Sequence, residues 1–139
     1  MEQKKTENEI KKEYLQSYRD AVIAETQIKE EIDQLRMDKM FPGLIQDGMP
    51  HGSGGSDLSA YAAKLDELLR ELEDQMNERI QLRREIVRKI ECMDSETEKA
   101  VLRYRYIHML KWEEIAVKMS YTWQHIHRIH GKALSHFEM

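Results

Sequence analysis

The sequence predicts an all-α protein, and two observations support this fold class. Charged residues make up 35% of the 139 residues, while glycine and proline are few and clustered. Apolar residues recur at intervals of three and four, which is the spacing of one face of a helix. We expect a long helical arm at 1–93, followed by a smaller helical domain at 94–139.

The arm is predicted to contain two long amphipathic helices, at about 4–40 and 57–92, joined by a linker at 41–56. The linker holds both prolines and five of the six glycines, so it interrupts any helix. The apolar series are Tyr14, Ala21, Ile28 and Leu35, widened by Ile10, Tyr18 and Ile32, and then Leu58, Tyr61, Leu65, Leu68 or Leu69, Leu72, Met76, Ile80, Val87 and Ile90. Ser56 or Asp57 is expected to cap the second helix. The helices are expected to form an antiparallel hairpin or coiled coil, within one chain or between two chains.

Three short helices are predicted in 94–139. Ser95 and Glu98 have the spacing in which each side chain caps the backbone N–H of the other, so a helix begins there. The elements that follow are a helix at about 112–119, a turn at Ser120 and Tyr121, and a helix from about 122 to 137 that Thr122 caps. The apolar faces are Val101, Leu102, Tyr106 and Ile107, then Trp112, Ile115, Ala116 and Met119, then Ile126, Ile129, Ala133 and Leu134. This order is the helix-turn-helix pattern, whose second helix lies in the major groove of double-stranded DNA.

The last helix is expected to carry the residues that contact DNA. From Met1 to Cys92 there are 15 Lys or Arg against 20 Asp or Glu, whereas 120–137 contains no acid. An acid-free helix on an acidic chain suits a protein that touches phosphates with one surface. The predicted DNA-binding residues are Thr122, Trp123, Gln124, His125, His127, Arg128 and Lys132.

The chemistry of these side chains assigns their expected contacts. Arg128 can donate two hydrogen bonds to guanine, and Gln124 can pair with adenine. Lys132 and the capped helix start at Thr122 are expected to meet phosphates. Trp123 either contacts a thymine methyl group or packs against the turn.

Histidine is unusually frequent in the acid-free stretch, where it occupies positions 125, 127, 130 and 136. Because its charge changes between about pH 5 and 8, the affinity for DNA is expected to rise as the pH falls. A metal site at His125, His127 and His130 is disfavoured, because no cysteine or carboxylate joins them at ligand spacing. We expect no metal and no other cofactor. No catalytic motif is visible, so an enzyme is not expected.

Several features concern the whole chain. Cys92, the single cysteine, cannot form an internal disulfide and is expected to be a half-buried structural thiol. Without an apolar leader or a membrane-length apolar segment, a soluble cytoplasmic protein is expected.

The basic residues near the end of the arm are expected to be a solvated helix face, with a second DNA contact as the alternative; they are Arg79, Arg83, Arg84, Arg88 and Lys89.

The domain at 94–139 also carries a family resemblance. The residues concerned are Val101, Leu102, Arg103, Arg105 and Tyr106, then Glu113, Glu114 and Ile115, then Thr122, Ile126, Ile129, Lys132, Ala133 and Leu134. In order and spacing this segment, from about Asp94 to Phe137, closely resembles region 4 of bacterial sigma factors. The resemblance implies that the last helix reads a promoter −35 element, with bases facing Trp123, Gln124, His127 and Arg128.

The whole chain is similar to small sigma-like regulators encoded by phages and prophages of Gram-positive bacteria, of the ArpU and RinA late-gene activator type. It departs from true sigma factors in lacking the aromatic-rich region that melts a −10 element, so it is not expected to open a promoter alone. His125, His127 and His130 also replace arginines that are common on the sigma recognition helix. The family's target sequence is therefore not expected to apply.

Two functions remain open from the sequence. The first is a DNA-binding transcription regulator that reads promoter DNA through Trp123–Lys132 and recruits RNA polymerase. Its arm would form a homodimer or higher oligomer, or contact the polymerase, because so few cations predict weak binding by a monomer. The alternative is a helical interaction protein that docks on RNA polymerase or another protein without reading DNA.

Overall fold

The computed structural model describes residues 4–40 and 54–139, with side chains described from residue 57 onward in the second range, and these residues form helices and no strand. The helices are α1 (Glu7–Met40), α2 (Gly54–Glu91), α3 (Glu96–Leu102) with a π-helical turn (Arg103–Ile107) directly after it, α4 (Trp112–Met119) and α5 (Trp123–His136). The predicted all-α class and the long helical arm are confirmed. The predicted linker at 41–56 lies almost wholly outside the described residues. None of the helices described is both long enough and apolar enough to cross a bilayer.

The two arm helices begin a few residues away from their predicted starts. Before α1, Thr6 Oγ1 accepts from the N–H of Glu9, and Glu9 Oε2 accepts from the N–H of Thr6, at 3.2 and 2.9 Å. This reciprocal cap starts α1 at Glu7. Helix α2 begins at Gly54, so the predicted cap at Ser56 or Asp57 is wrong, and Asp57 lies in the first helical turn.

The chain divides into two compact units, of which the smaller is Val22–Glu78. In this unit the Lys39 ammonium lies 5.7 Å from the centre of the Tyr61 ring, so α1 and α2 meet within one chain. Ile32 and Leu68 are buried as the apolar series predicts, but Leu58, at 57% exposed, is not.

The larger unit combines Met1–Ala21 with Arg79–Met139. Here apolar side chains of α1, of α2 and of the segment after α5 are buried; they are Leu15, Tyr18, Ile86, Ile90 and Phe137. Two predicted core positions are wrong. Ile86 is fully buried where Val87 was expected, and Ile10 is exposed because it lies at the edge of the stripe.

Helices α4 and α5 and the end of α3 enclose a second group of apolar side chains. Its fully buried members are Val101, Ile115 and Ile126, and partly buried Trp112 and Met119 pack around them. The bounds of α4 agree with the prediction, and α5 differs by about one residue at each end. The π-helical turn, in which the N–H of His108 donates to the carbonyl of Arg103 at 2.9 Å, was not predicted.

The predicted reciprocal cap between Ser95 and Glu98 is half correct. Ser95 Oγ accepts from the N–H of Glu98 at 3.2 Å and starts α3. The Glu98 carboxylate instead lies 2.9 Å from Nδ1 of His136. This contact joins the start of α3 to the end of α5, so Glu98 serves the packing of two helices rather than a local cap.

Cys92 is exposed, and its predicted half-buried position is wrong. Helix α2 ends at Glu91, so Cys92 lies in the turn that leads to α3. The neighbouring Met93 takes the buried position instead.

Candidate nucleic-acid interface

The turn between α4 and α5 fixes where α5 begins. Ser120 adopts the left-handed conformation, with φ 57° and ψ 39°, and the next N–H, of Tyr121, donates to the carbonyl of Ala116 at 3.0 Å. Thr122 is extended, and its Oγ1 accepts from the N–H of His125 at 3.1 Å. The predicted turn at Ser120 and Tyr121 and the predicted N-cap at Thr122 are confirmed. Other N–H groups of the first turn of α5 remain available to a ligand.

The outer face of α5 presents a row of polar side chains. Gln124, Arg128 and Lys132 are all exposed and follow one another at intervals of four residues, so they lie on successive turns of one face. The inner face holds the four predicted apolar residues, which are Ile126, Ile129, Ala133 and Leu134, all buried. The absence of acid from 120–137 leaves this row electrically positive and able to face an anion.

Trp123, His127 and Trp112 form a stack of tilted rings beside this row, with angles between neighbouring ring planes of 53° and 45°. The His127 ring lies 3.9 Å from the Trp123 ring and 4.5 Å from the Trp112 ring, measured between centres. Trp123 remains 53% exposed, whereas the Nε2 atom of His127 is buried and has no hydrogen-bond partner among the described residues. The imidazole of His127 is therefore mainly a packing surface between two indoles.

Burial lowers the pKa of His127, and the charge of Arg105 lowers it further. Glu113 acts in the opposite direction, and Lys12 adds a smaller lowering effect. A neutral imidazole is favoured in this stack, so His127 is a poor source of positive charge for a phosphate.

His130 lies inside the unit, with only 8% of its surface exposed. Its Nε2 is 2.7 Å from the hydroxyl of Tyr106, and its ring meets Trp112 edge-on at 4.6 Å. Burial lowers the pKa of His130 to about 4, with Lys12, His127 and Arg105 adding to the effect. Burial also raises the pKa of Tyr106 to about 12. The hydroxyl thus donates to a neutral imidazole, and His130 is a core residue.

The remaining histidine of the predicted set is His125, which is half-buried at the start of α5. Its ring meets the Tyr121 ring edge-on, with the centres 4.7 Å apart. Of His125, His127 and His130, from which the sequence predicted a rise in DNA affinity at low pH, the last two have pKa values that burial lowers. The pH effect is therefore expected to be smaller than the histidine count suggests.

Arg105 and Val117 flank this region and were not predicted as functional. The Arg105 guanidinium lies 4.5 Å from the centre of the Trp112 ring and donates to the carbonyl of Leu110 at 3.0 Å. Val117, on α4, is 80% exposed. One sequence signal marks Val117, because this valine lies outside the apolar face predicted for the helix.

The arginine run near the end of α2 separates into two kinds of residue. Arg83, Arg84 and Arg88 are exposed, as a solvated face predicts. Lys89 is instead held by Glu85 Oε1 at 2.8 Å and by the Tyr14 hydroxyl at 2.9 Å. Lys89 therefore joins α1 to α2.

Comparison of the chain with models of protein families, with curated proteins and with solved structures finds no match.

Proposed function

We propose that this chain is a sequence-specific DNA-binding regulator of transcription, and that α5 enters the major groove of duplex DNA. The observation that carries the proposal is the row of Gln124, Arg128 and Lys132 on an acid-free helix that follows a tight turn. Side chains of this kind read bases in the major groove, where each base pair has its own donor and acceptor pattern. Helices α4 and α5 correspond to the two helices of a helix-turn-helix.

Each residue of the row has a distinct task in this proposal. Arg128 donates to a guanine, Gln124 pairs with an adenine, and Lys132 neutralises a phosphate further along the helix. The N-terminal amides after Thr122 hold another phosphate at the positive end of α5. Few phosphates are neutralised, so we expect a single chain to bind weakly and with a shallow dependence on salt.

Recruitment of RNA polymerase is the proposed mechanism of regulation. The likeness of 94–139 to sigma region 4, and of the chain to regulators of phage late genes, supports this step. A homodimer, or a simultaneous contact with polymerase, would raise the effective affinity for DNA without new base contacts.

The direct test begins with the full chain and a pool of random-sequence duplexes at fixed salt, followed by footprinting on the sequences recovered. Replacing Gln124 and Arg128 together by alanine should lower the ratio of specific to non-specific binding about 10- to 100-fold. Replacing the exposed Arg83 and Arg84 by alanine is the matched control and should leave that ratio unchanged. Unchanged specificity in the first variant would exclude readout by α5.

Docking on a protein without DNA readout is a second candidate, and exposed Val117 on α4 favours it. A valine with 80% of its surface exposed would gain free energy from burial in a protein contact, because its apolar surface would leave water. Under this alternative, Val117→Asp abolishes the binding of purified RNA polymerase, and no duplex is enriched from the random pool. Under the first proposal, enrichment of duplexes persists in Val117→Asp.

A further inference from the structure

The exposed indole of Trp123 requires an explanation, because it is a large apolar side chain in the first turn of an otherwise polar helix face. About half of its surface is exposed, yet its ring packs against the ring of His127, with the two ring centres 3.9 Å apart. The His127 ring packs in turn against Trp112, with the ring centres 4.5 Å apart. The Arg105 guanidinium lies 4.5 Å from the centre of the Trp112 ring. A chain of three planar groups, His127, Trp112 and the Arg105 guanidinium, thus supports the one exposed apolar surface of Trp123.

The residues next to Trp123 indicate what this surface meets. Gln124, the next residue, is exposed, and the proposed function assigns its amide to an adenine in the major groove. Every adenine in a duplex is paired with thymine, whose 5-methyl group is the one apolar feature of the major groove. An apolar ring beside an adenine-reading amide therefore fits an A·T pair or two adjacent A·T pairs.

We propose that Trp123 reads thymine by packing against its 5-methyl group, and that His127 is a positioning residue that holds the indole without touching DNA itself. This inference rests on the proposed function and specifies the chemistry that α5 recognises. An indole that is already held in one rotamer loses little conformational freedom when it packs against a methyl group, so the contact costs little entropy.

The burial of His127 supports the second half of the proposal. Its Nε2 is buried, so this atom cannot form a hydrogen bond with a base edge while the rings keep this arrangement. Replacement by a flat ring without polar atoms should therefore preserve the function of His127. Replacement by a small side chain should release Trp123.

The experiment uses full-length chain and duplexes recovered from the random-sequence pool, synthesised with thymine or with uracil at one position at a time. Uracil lacks only the 5-methyl group. We expect wild-type affinity to fall about fourfold at one or two positions, as burial of one methyl group predicts. Trp123→Ala should bind the thymine and uracil duplexes equally. Val117→Ala, which removes another exposed apolar side chain, should keep the wild-type preference.

Two variants of His127 test its positioning role, with thermal unfolding recorded to show that each variant is folded. His127→Phe should retain the preference for thymine over uracil, whereas His127→Ala should lose most of it. If phenylalanine loses the preference as alanine does, the imidazole contacts DNA itself and the positioning role is overturned.

The outcomes for wild type separate this inference from the proposed function. Enrichment of duplexes with equal affinity for thymine and uracil at every position would overturn methyl readout and leave DNA binding intact. Absence of any enriched duplex would overturn the proposed function, and the inference with it.

Discussion

His130 and Tyr106 form the most completely buried polar pair in the described part of the larger unit. The pair joins the π-helical turn to α5 across 2.7 Å, and neither ring reaches the row of Gln124 and Arg128. A buried acceptor such as the imidazole Nε2 is costly when it has no donor. This pair therefore stabilises the unit that contains α5.

Replacing Tyr106 by phenylalanine is expected to destabilise the fold. The imidazole Nε2 would lose its donor in a buried site, at a cost of about 1–3 kcal/mol. The measurement is the free energy of unfolding in urea. Tyr104→Phe is the matched control, because Tyr104 is only partly buried, and its effect should stay within about 0.5 kcal/mol.

Stability is also expected to depend on pH through His130. Burial lowers its pKa to about 4 in the folded chain, against about 6.5 for a solvent-exposed imidazole in the unfolded chain, so the unfolded state binds more protons between these values. Stabilisation by neutral His130 is complete above about pH 6.5 and is lost as the pH falls towards 4. Lys12, Arg105 and His127 face the ring and oppose its protonation.

The check is the free energy of unfolding at pH 7 and at pH 5, for wild type and for His130→Asn. Wild type should lose about 1–2 kcal/mol more than the variant between the two pH values. An equal loss in both proteins would show that other groups cause the acid sensitivity.

The turn between α4 and α5 stores strain that a single substitution can remove. Ser120 has φ 57°, a conformation that costs a residue with a Cβ about 1–2 kcal/mol. Glycine adopts it freely but loses more backbone entropy on folding, so Ser120→Gly should stabilise the fold by roughly 0.5–1 kcal/mol. Ser120→Ala, which keeps the strain, should give no gain. The measurement is the midpoint of thermal unfolding of both variants.

Thr122→Ala is the complementary change at the start of α5. It removes the hydroxyl that accepts from the N–H of His125 at 3.1 Å, and should destabilise the fold by about 1 kcal/mol. Thr122→Ser keeps the hydroxyl and serves as the control. A loss of similar size in both variants, measured by urea unfolding, would contradict a capping role.

Helix boundaries and inner faces were readable from the sequence because caps and apolar spacing are local signals. Helix α4 and the buried face of α5 illustrate this, since Ser120 and Thr122 mark the turn directly. The roles of His127 and His130 were not readable. They depend on side chains from the π-helical turn and α4 that pack against α5. His130 lies four residues from Ile126 and from Leu134, which places it on the inner face of α5, but this spacing does not identify the Tyr106 hydroxyl as its partner.

In the arm, too, the sequence predicted the buried face of a helix but not every residue that is buried there. A series with helical spacing selects a face of α2, but it does not separate neighbours, and Ile86 rather than Val87 is fully buried. Phe137 was assigned no role in the core because it follows the last predicted helical repeat. It is fully buried, with its ring 6.2 Å from that of Tyr14, and only the tertiary packing of α1 reveals this.

The larger unit draws on both ends of the chain, and this has a consequence for any attempt to isolate 94–139. Phe137 packs near Tyr14, and the Lys11 ammonium donates to the carbonyl of Ser135 at 3.2 Å. Without 1–21 and 79–93, the apolar surface of α3 and α5 loses its cover. We expect the isolated segment 94–139 to lack a cooperative thermal transition by circular dichroism.

Phe137→Ala in the full chain tests the same packing without truncation. Loss of a fully buried aromatic ring should lower the free energy of unfolding by about 3–5 kcal/mol. Met139→Ala, at an exposed neighbouring position, is the control and should have little effect. A small loss in Phe137→Ala together with a cooperative transition in 94–139 would show that the segment folds without the arm.

Charge is divided unequally between the two units, and this predicts how the arm affects DNA. The smaller unit, Val22–Glu78, has 5 Lys or Arg against 13 Asp or Glu, whereas the rest of the chain has 17 against 13. Replacing 22–78 by a short Gly/Ser loop leaves the residues of the larger unit in place and changes the net charge from negative to positive. Affinity for duplex DNA should then rise at low salt, because the chain's overall repulsion of phosphate is removed. The gain should disappear as salt is raised towards 1 M, where the Debye length is about 3 Å. A fall in affinity at low salt, measured on the same selected duplex, would instead mean that the smaller unit supplies a DNA contact or an oligomer that binding requires.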